Sequence, residues 1–359
     1  MQQPPKRQMG FPVYLSNDDS TNVDATNNLC GDSSVAPDLN TNNESNDISV
    51  LSLSDAALDA QIKSLLWQHG VICVKCQNLT PTEMLNLAER FGETFVLPKM
   101  FGTRCSEQPE IIRIGNVRED GRIIPRHTAA EYWHHDGDFR ARPQHALINF
   151  LHAKITPNVG GKTGFLDLTG AYHAADKNRV FSETVKSKLR DSVIVVDPME
   201  IEDFKQEKAR QDQMKLDSSE ADSAAADADD CIDKFLSVVE HPVISPHPVT
   251  GLPVMYLPQS GKGVLEQETY ESWISCDEVW EMVKYGEPSG DEDVSGRDND
   301  ALEEYPSHEK PNFVYEHQWE EGDLLIWDNT QLMHRSMGGF GDQARLLYRA
   351  QAIYQGSFC

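Results

Sequence analysis

The stretch Glu131-Tyr-Trp-His-His-Asp-Gly-Asp-Phe139 concentrates groups able to bind a metal. In an extended strand residues two apart face the same way, so His134 and Asp136 project to one side and His135 to the other. An imidazole and a carboxylate in that relation are natural neighbouring ligands of one ion. The stretch offers no third ligand on that face. Far downstream, Gly322-Asp-Leu-Leu-Ile-Trp-Asp-Asn-Thr-Gln-Leu-Met-His334 reads as an apolar strand, a turn at Asp328-Asn329 and an emerging His334. Two imidazoles and one carboxylate form the facial set that suits Fe(II) and leaves three positions open. A chelating co-substrate can take two of them and O2 the third. Beyond His334 lie Arg345 and Arg349. A separation of four along a strand puts both guanidiniums on one face. A guanidinium is a bidentate clamp for a carboxylate, which a dicarboxylate chelating a metal at its other end requires.

The elements that must position these groups are mostly short strands. They are expected at Ile111–Ile114, Ala146–Ile155, Gly164–Leu168, Val243–Ser245, Val254–Leu257, Asn312–Gln318, Asp323–Trp327 and Ala344–Tyr354, punctuated by Gly, Pro and Asn turns. Upstream, Leu58, Ile62, Leu65 and Leu66 recur at helical spacing and Gly70 ends the run. The β-branched run Val71–Val74 reads as a strand. Thr80-Pro-Thr-Glu83 opens a second helix with a capping box, and that helix ends at Phe91–Gly92. Many short strands with inserted helices favour a barrel or sandwich over a doubly wound sheet.

The chain has 359 residues, a formal charge of -26 and a mean hydropathy of -0.52. Such acidity repels phosphate backbones and anionic lipid, so neither nucleic acid nor a membrane is an expected partner. No apolar run has the length of a membrane span and the N-terminal stretch has no apolar h-region, so a cytoplasmic protein is expected. Seven scattered cysteines argue for a reducing compartment rather than a disulfide framework. Cys73 and Cys76 form a C-x-x-C, but no second pair completes a zinc site, and a structural role is expected.

Residues 1–50, rich in Asn, Asp, Ser and Thr, read as a disordered or loosely docked leader, and residues 51–359 as a single domain. Two acidic segments, near 201–240 and 286–310, read as solvated, solubilising insertions. The acids within the first lack the spacing of an EF-hand loop. There is no internal repeat.

Over roughly residues 54–356 the chain resembles the taurine dioxygenase/TfdA family of Fe(II)- and 2-oxoglutarate-dependent oxygenases. Six pieces match in order. Gln68-His-Gly-Val-Ile, with Leu79-Thr and Arg90-Phe-Gly, resembles the family's N-terminal helix–strand–helix. Trp133-His134-His135-Asp136 resembles its W-H-x-D motif. Gly160-Gly161-Lys-Thr163-Gly-Phe resembles its G-G-x-T segment. His241-Pro-Val and His247-Pro-Val-Thr-Gly resemble its paired H-P strands. Trp327-Asp-Asn-Thr with His334, and then Arg345 and Arg349, resemble its distal histidine and arginine segment.

The resemblance implies a mainly β fold with flanking helices around a double-stranded β-helix, a cupin-like jelly roll. It implies that His134, Asp136 and His334 bind iron and that Thr163 and Arg345 hold the distal carboxylate of 2-oxoglutarate. Arg349 would lie near both cofactor and substrate. The implied activity consumes O2, decarboxylates 2-oxoglutarate to succinate and CO2, and hydroxylates an unactivated C–H bond of a small, anionic organic molecule. Desaturation or ring formation would use the same residues, and a non-catalytic ligand-binding jelly roll is the alternative from another class. A homo-oligomer is compatible with all of these.

Departures narrow the substrate. Leu97 stands where taurine-oxidising members carry a histidine, and Ala130 where they carry an asparagine, which disfavours taurine. Retention of Asp136 disfavours halogenation. His135 is the weaker candidate ligand by strand face. His152, His173, His317, His241 and His247 read as packing or structural histidines, and Trp327 as core. Asp138 and Arg140 either pair with each other or line the pocket mouth. Asn329 is expected to fix the turn that delivers His334.

Overall fold

The computed structural model describes residues 11–13, 56–75, 77–124, 130–177, 179–217, 231–261, 263–283 and 313–354. Cys76, the 286–310 segment and all of 1–50 except 11–13 lie outside the described residues.

An eight-stranded sheet runs Phe11–Val13, Val71–Val74, Leu324–Asp328, Leu147–Ile155, Leu346–Tyr354, Ile112–Gly115, Thr103–Arg104, with Gly92–Thr94 also pairing to Leu346–Tyr354. A three-stranded sheet orders Val314–His317, Thr163–Asp167 and Leu332–Ser336. The two sheets face each other as a jelly roll. Their shared interior holds Val71, Cys73, Leu151, Ala153, Leu325, Trp327 and Leu347 from the larger sheet, with Phe165 and Leu332 from the smaller. Strand alternation sends the neighbours Ile72, Val74, Ile148, Phe150, Leu324, Ile326, Ala350 and Ala352 to the opposite face.

That outer face is covered by the helices Ala56–His69 and Pro81–Glu89, through Ile62, Leu66, Met84 and Leu87. Covering both faces explains why the central strands read as unbroken apolar runs. Thr80 caps the second helix as its sequence implies, its hydroxyl accepting from the Glu83 amide while Glu83 returns a bond to the Thr80 amide. The outer face of the smaller sheet is sealed by Leu168–Lys177 and Cys276–Val283, whose Leu168, Ala171, Tyr172 and Val279 pack on Leu166 and Met333.

Two local expectations are revised. The metal motif is not a strand: His134 makes a single antiparallel bridge to His334, and the chain then turns. The first acidic insertion is not wholly solvated either. Glu202–Asp217 is a helix, and Phe204, Ile232 and Phe235 are buried against Phe139. Among the described residues no helix is long and apolar enough to cross a membrane.

Candidate metal centre and cofactor pocket

Along the strands facing the interior, apolar side chains give way to polar ones at one end: Leu347 to Arg349 to Gln351, and Ala153 to Leu151 to Asn149. Gln351 lies directly opposite Asn149 across the two strands. Asp136 is seated over this polar end. Asn149 Nδ2 and Gln351 Nε2 donate to its Oδ2 at 3.2 and 3.0 Å, and Arg349 Nη1 lies 3.5 Å from its Oδ1.

His334 arrives on Leu332–Ser336, opposite Phe165. The backbones of His134 and His334 exchange both hydrogen bonds, at 3.1 and 2.9 Å, and their ring centroids are 4.3 Å apart. His334 Nε2 is 3.6 Å and His134 Nε2 3.9 Å from the Asp136 carboxylate. One ligand atom from each of the three lies within 4.8 Å of the others. Donors about 2.0–2.2 Å from a shared ion stand roughly 3–4 Å apart, so this set fits a single metal.

The chemistry of the donors fits too. His134 Nδ1 donates to the Tyr132 carbonyl at 2.9 Å, which turns the Nε2 lone pair toward Asp136. Burial, reinforced by the neighbouring His134, lowers His334 to about 3, so its imidazole is neutral. Burial acts to raise the Asp136 carboxyl, but Arg349, followed by His334, His134 and His135, outweighs it and holds the group below the usual carboxylate range. Neutral imidazoles and an ionised carboxylate are the forms that bind metal. His135 turns away, its Nδ1 donating to the Asn329 carbonyl at 2.8 Å and its ring stacked on Tyr256.

The Asn329 side chain does not act where the sequence suggested. It grips the backbone of Asp136, accepting from the amide at 3.0 Å and donating to the carbonyl at 2.8 Å. The turn itself is held by Asp328, whose Oδ1 accepts from the Thr330 amide and hydroxyl and whose Oδ2 meets His247 at 2.6 Å.

The remaining candidates lie on both sheets. Thr163 is buried, and its Oγ1 accepts from Trp319 Nε1 at 3.0 Å. With its acceptor side engaged, the hydroxyl retains a proton to donate to a carboxylate. Arg345 is buried beside the Gly160-Gly161 turn. A Cβ on Gly161, at φ +69°, would lie 2.8 Å from Pro157 Cγ, so the tight turn beside Arg345 requires glycine. Asn116 fixes the Arg345 backbone, accepting from its amide and donating to its carbonyl. The guanidinium that meets Asp136 is that of Arg349. Among the residues that sequence reasoning missed, Asn149 carried the one available signal, a lone amide inside an apolar strand. Asn116, Trp319 and Gln351 act through contacts that no spacing announces.

A second donor group, Cys73, His317 and Asp323, is also close-packed. There Lys75 Nζ already sits 2.6 Å from Asp323 Oδ1, and His317 Nε2 is 3.0 Å from its Oδ2. Burial pushes the Cys73 thiol up and keeps it protonated. This cluster holds an ammonium and is built as a structural ion pair.

Comparison with known proteins gives the following. The family model described as taurine catabolism dioxygenase TauD, TfdA family matches residues 34–351. The (S)-phenoxypropionate/alpha-ketoglutarate-dioxygenase of Delftia acidovorans is 23% identical, covering 80% of this chain and 84% of that protein. Pentalenolactone F synthase of Streptomyces arenae is 25% identical, over 76% and 78%. Among solved structures, AAD-2 in complex with Mn(II) and N-oxalylglycine superposes with a TM-score of 0.55 at 19% identity, covering 85% of this chain and 90% of that one.

Proposed function

The chain belongs to the taurine catabolism dioxygenase TauD, TfdA family of 2-oxoglutarate-dependent dioxygenases, and from that premise we propose that it hydroxylates an unactivated C–H bond of a small organic carboxylate. The observation that carries this reading is the convergence of His134, Asp136 and His334 from positions 200 residues apart to within 4.8 Å. In this reading those three hold Fe(II), and Thr163 and Arg345 hold the distal carboxylate of 2-oxoglutarate. When bound, iron and 2-oxoglutarate supply the oxidation, in which O2 is consumed, 2-oxoglutarate becomes succinate and CO2, and one oxygen atom enters the C–H bond.

The protein's own residues orient and insulate. Tyr132 holds the His134 ring in its ligating tautomer. Asn149 and Gln351 hold one carboxylate oxygen of Asp136 while Arg349 offsets its charge. Trp319 presents the Thr163 hydroxyl as a donor. Trp327 and Phe165 pack against the His334 ring and exclude water from it. The carboxylate class of substrate is supported by the name of the Delftia relative, and by the Arg140 guanidinium, four residues beyond Asp136, lying over the Phe95 ring. The partner is then a small molecule, with nucleic acid and membrane surface disfavoured by charge.

The test is succinate formation from 2-oxoglutarate with Fe(II), followed with oxygen uptake. His334→Ala abolishes it, and Arg345→Ala raises the 2-oxoglutarate requirement at least tenfold. Unchanged turnover in either variant refutes the assigned role. A product heavier by one oxygen marks hydroxylation; one lighter by two hydrogens marks desaturation.

A further inference from the structure

Beyond Asp136 the chain makes a tight turn in which the Arg140 amide donates to the Gly137 carbonyl at 2.9 Å, with Gly137 at φ +68°. The turn folds the Arg140 side chain back over Gly137. A Cβ there would lie 3.1 Å from Arg140 Cδ, so glycine is what lets the arginine lie beside the metal motif. The guanidinium Cζ stands 4.0 Å from the centroid of Phe95 and 5.1 Å from that of Phe235. Phe235 belongs to a cluster in which Phe101 stacks on Phe139 at 5.2 Å and Phe204 meets Phe139 edge-on at 5.0 Å. Phe204 and Phe235 come from the two ends of the acidic insertion.

Among the described residues no carboxylate pairs with Arg140, and its buried Nε has no hydrogen-bond partner. The two nearest acids in sequence are engaged elsewhere. Asp136 pairs with Arg349 at 3.5 Å, and Asp138 accepts from the Ser260 amide at 3.4 Å. Burial lowers Arg140 itself to about 10. A desolvated cation lacking a counter-ion is costly unless an anion is to arrive. Ring faces against a guanidinium leave its N–H edge for in-plane, bidentate contact with a carboxylate.

We propose that Arg140 binds the anionic group of the primary substrate, an organic carboxylate whose apolar body lies against Phe95, Phe139 and Phe235. This rests on the dioxygenase reading above and names the residue that selects its substrate. The acidic insertion gains a role: its ends wall the substrate pocket.

The experiment uses the full chain loaded with Mn(II) and N-oxalylglycine, which cannot turn over, and calorimetric titration. The probes are three acids and their neutral amides: phenoxyacetate, 3-phenylpropionate and octanoate. The wild type binds at least one acid tenfold or more tightly than its amide. Arg140→Met removes that preference while N-oxalylglycine affinity stays within twofold, which also reports a folded site. Should the methionine variant not fold, Arg140→Lys weakens the preference several-fold, because an ammonium gives up the bidentate geometry. No acid preference in the wild type, or an unaltered preference in the foldable variant, overturns the proposal. Failure of the underlying reading is separate: wild type with Fe(II) would then form no succinate from 2-oxoglutarate.

Discussion

Replacing Asn329 by alanine removes the clamp between the turn after Trp327 and the backbone of Asp136. The two bonds to the Asp136 backbone, of 3.0 and 2.8 Å, are lost, together with a longer one of 3.4 Å that Oδ1 accepts from Asn149 Nδ2. Asn329 is fully buried, so water does not readily take its place. Each bond contributes about 1 kcal/mol, and a buried backbone amide or carbonyl left unpaired costs about 1–3 kcal/mol. The expected loss is about 2–4 kcal/mol. It falls on the position of Asp136, because the strand that would otherwise fix that backbone is absent. Mn(II) titration therefore weakens by about 30-fold or more, at about 1.4 kcal/mol per decade, and thermal denaturation shifts down by several degrees. Asn329→Asp is the informative control. It can still accept from the Asp136 amide but sets a carboxylate against the Asp136 carbonyl, so it rescues little. Metal affinity within twofold of wild type in Asn329→Ala would refute the clamp, whatever happens to stability.

Trp319→Phe keeps an aromatic ring but leaves Thr163 Oγ1 without its donor. The Michaelis constant for 2-oxoglutarate rises about 3–10-fold with kcat little changed; an unchanged constant removes Trp319 from the pocket's design. The buried His247–Asp328 pair makes stability depend on acid. Burial acts to raise Asp328, but His247 and the Thr330 and Gln331 bonds outweigh it and hold the carboxyl at about 2, below its ordinary 3.8. A depressed carboxyl stabilises fully above its ordinary value and loses that contribution as pH falls toward about 2. Denaturation at pH 6, 4 and 3 shows a loss of about 1 kcal/mol in the wild type that Asp328→Asn does not share. Parallel curves for the two proteins would show that another group is responsible.

Much of the framework was legible because its signals are local. The strand Val71–Val74 announces itself by β-branched residues, and Thr80 with Glu83 announces a helix start. Leu332–Ser336, which carries His334, was missed because Leu-Met-His-Arg-Ser has neither alternation nor β-branching. Pairing to Thr163–Asp167 makes it a strand. The helices Leu168–Lys177, Glu183–Arg190 and Cys276–Val283 were missed as well. The metal motif was misread as a strand for a related reason. Its pattern alternates, but only His134 pairs with a neighbouring strand, and the Asp136 backbone is held by the Asn329 side chain instead. Side chains that grip from a distance, Asn116 on Arg345 or Gln351 on Asp136, depend on register between strands, which no local window contains. The first acidic insertion misled by average composition, since a few buried apolar residues, Phe204, Ile232, Phe235 and Val239, anchor a strongly charged segment.

The paired backbones of His134 and His334 carry one more implication. Reciprocal peptide bonds set the spacing of the two imidazoles through the main chain alone, so a cation held between them would fill a gap already measured out. Divalent ions of similar radius would then exchange without unfolding, the choice among them falling to ligand chemistry and cellular supply.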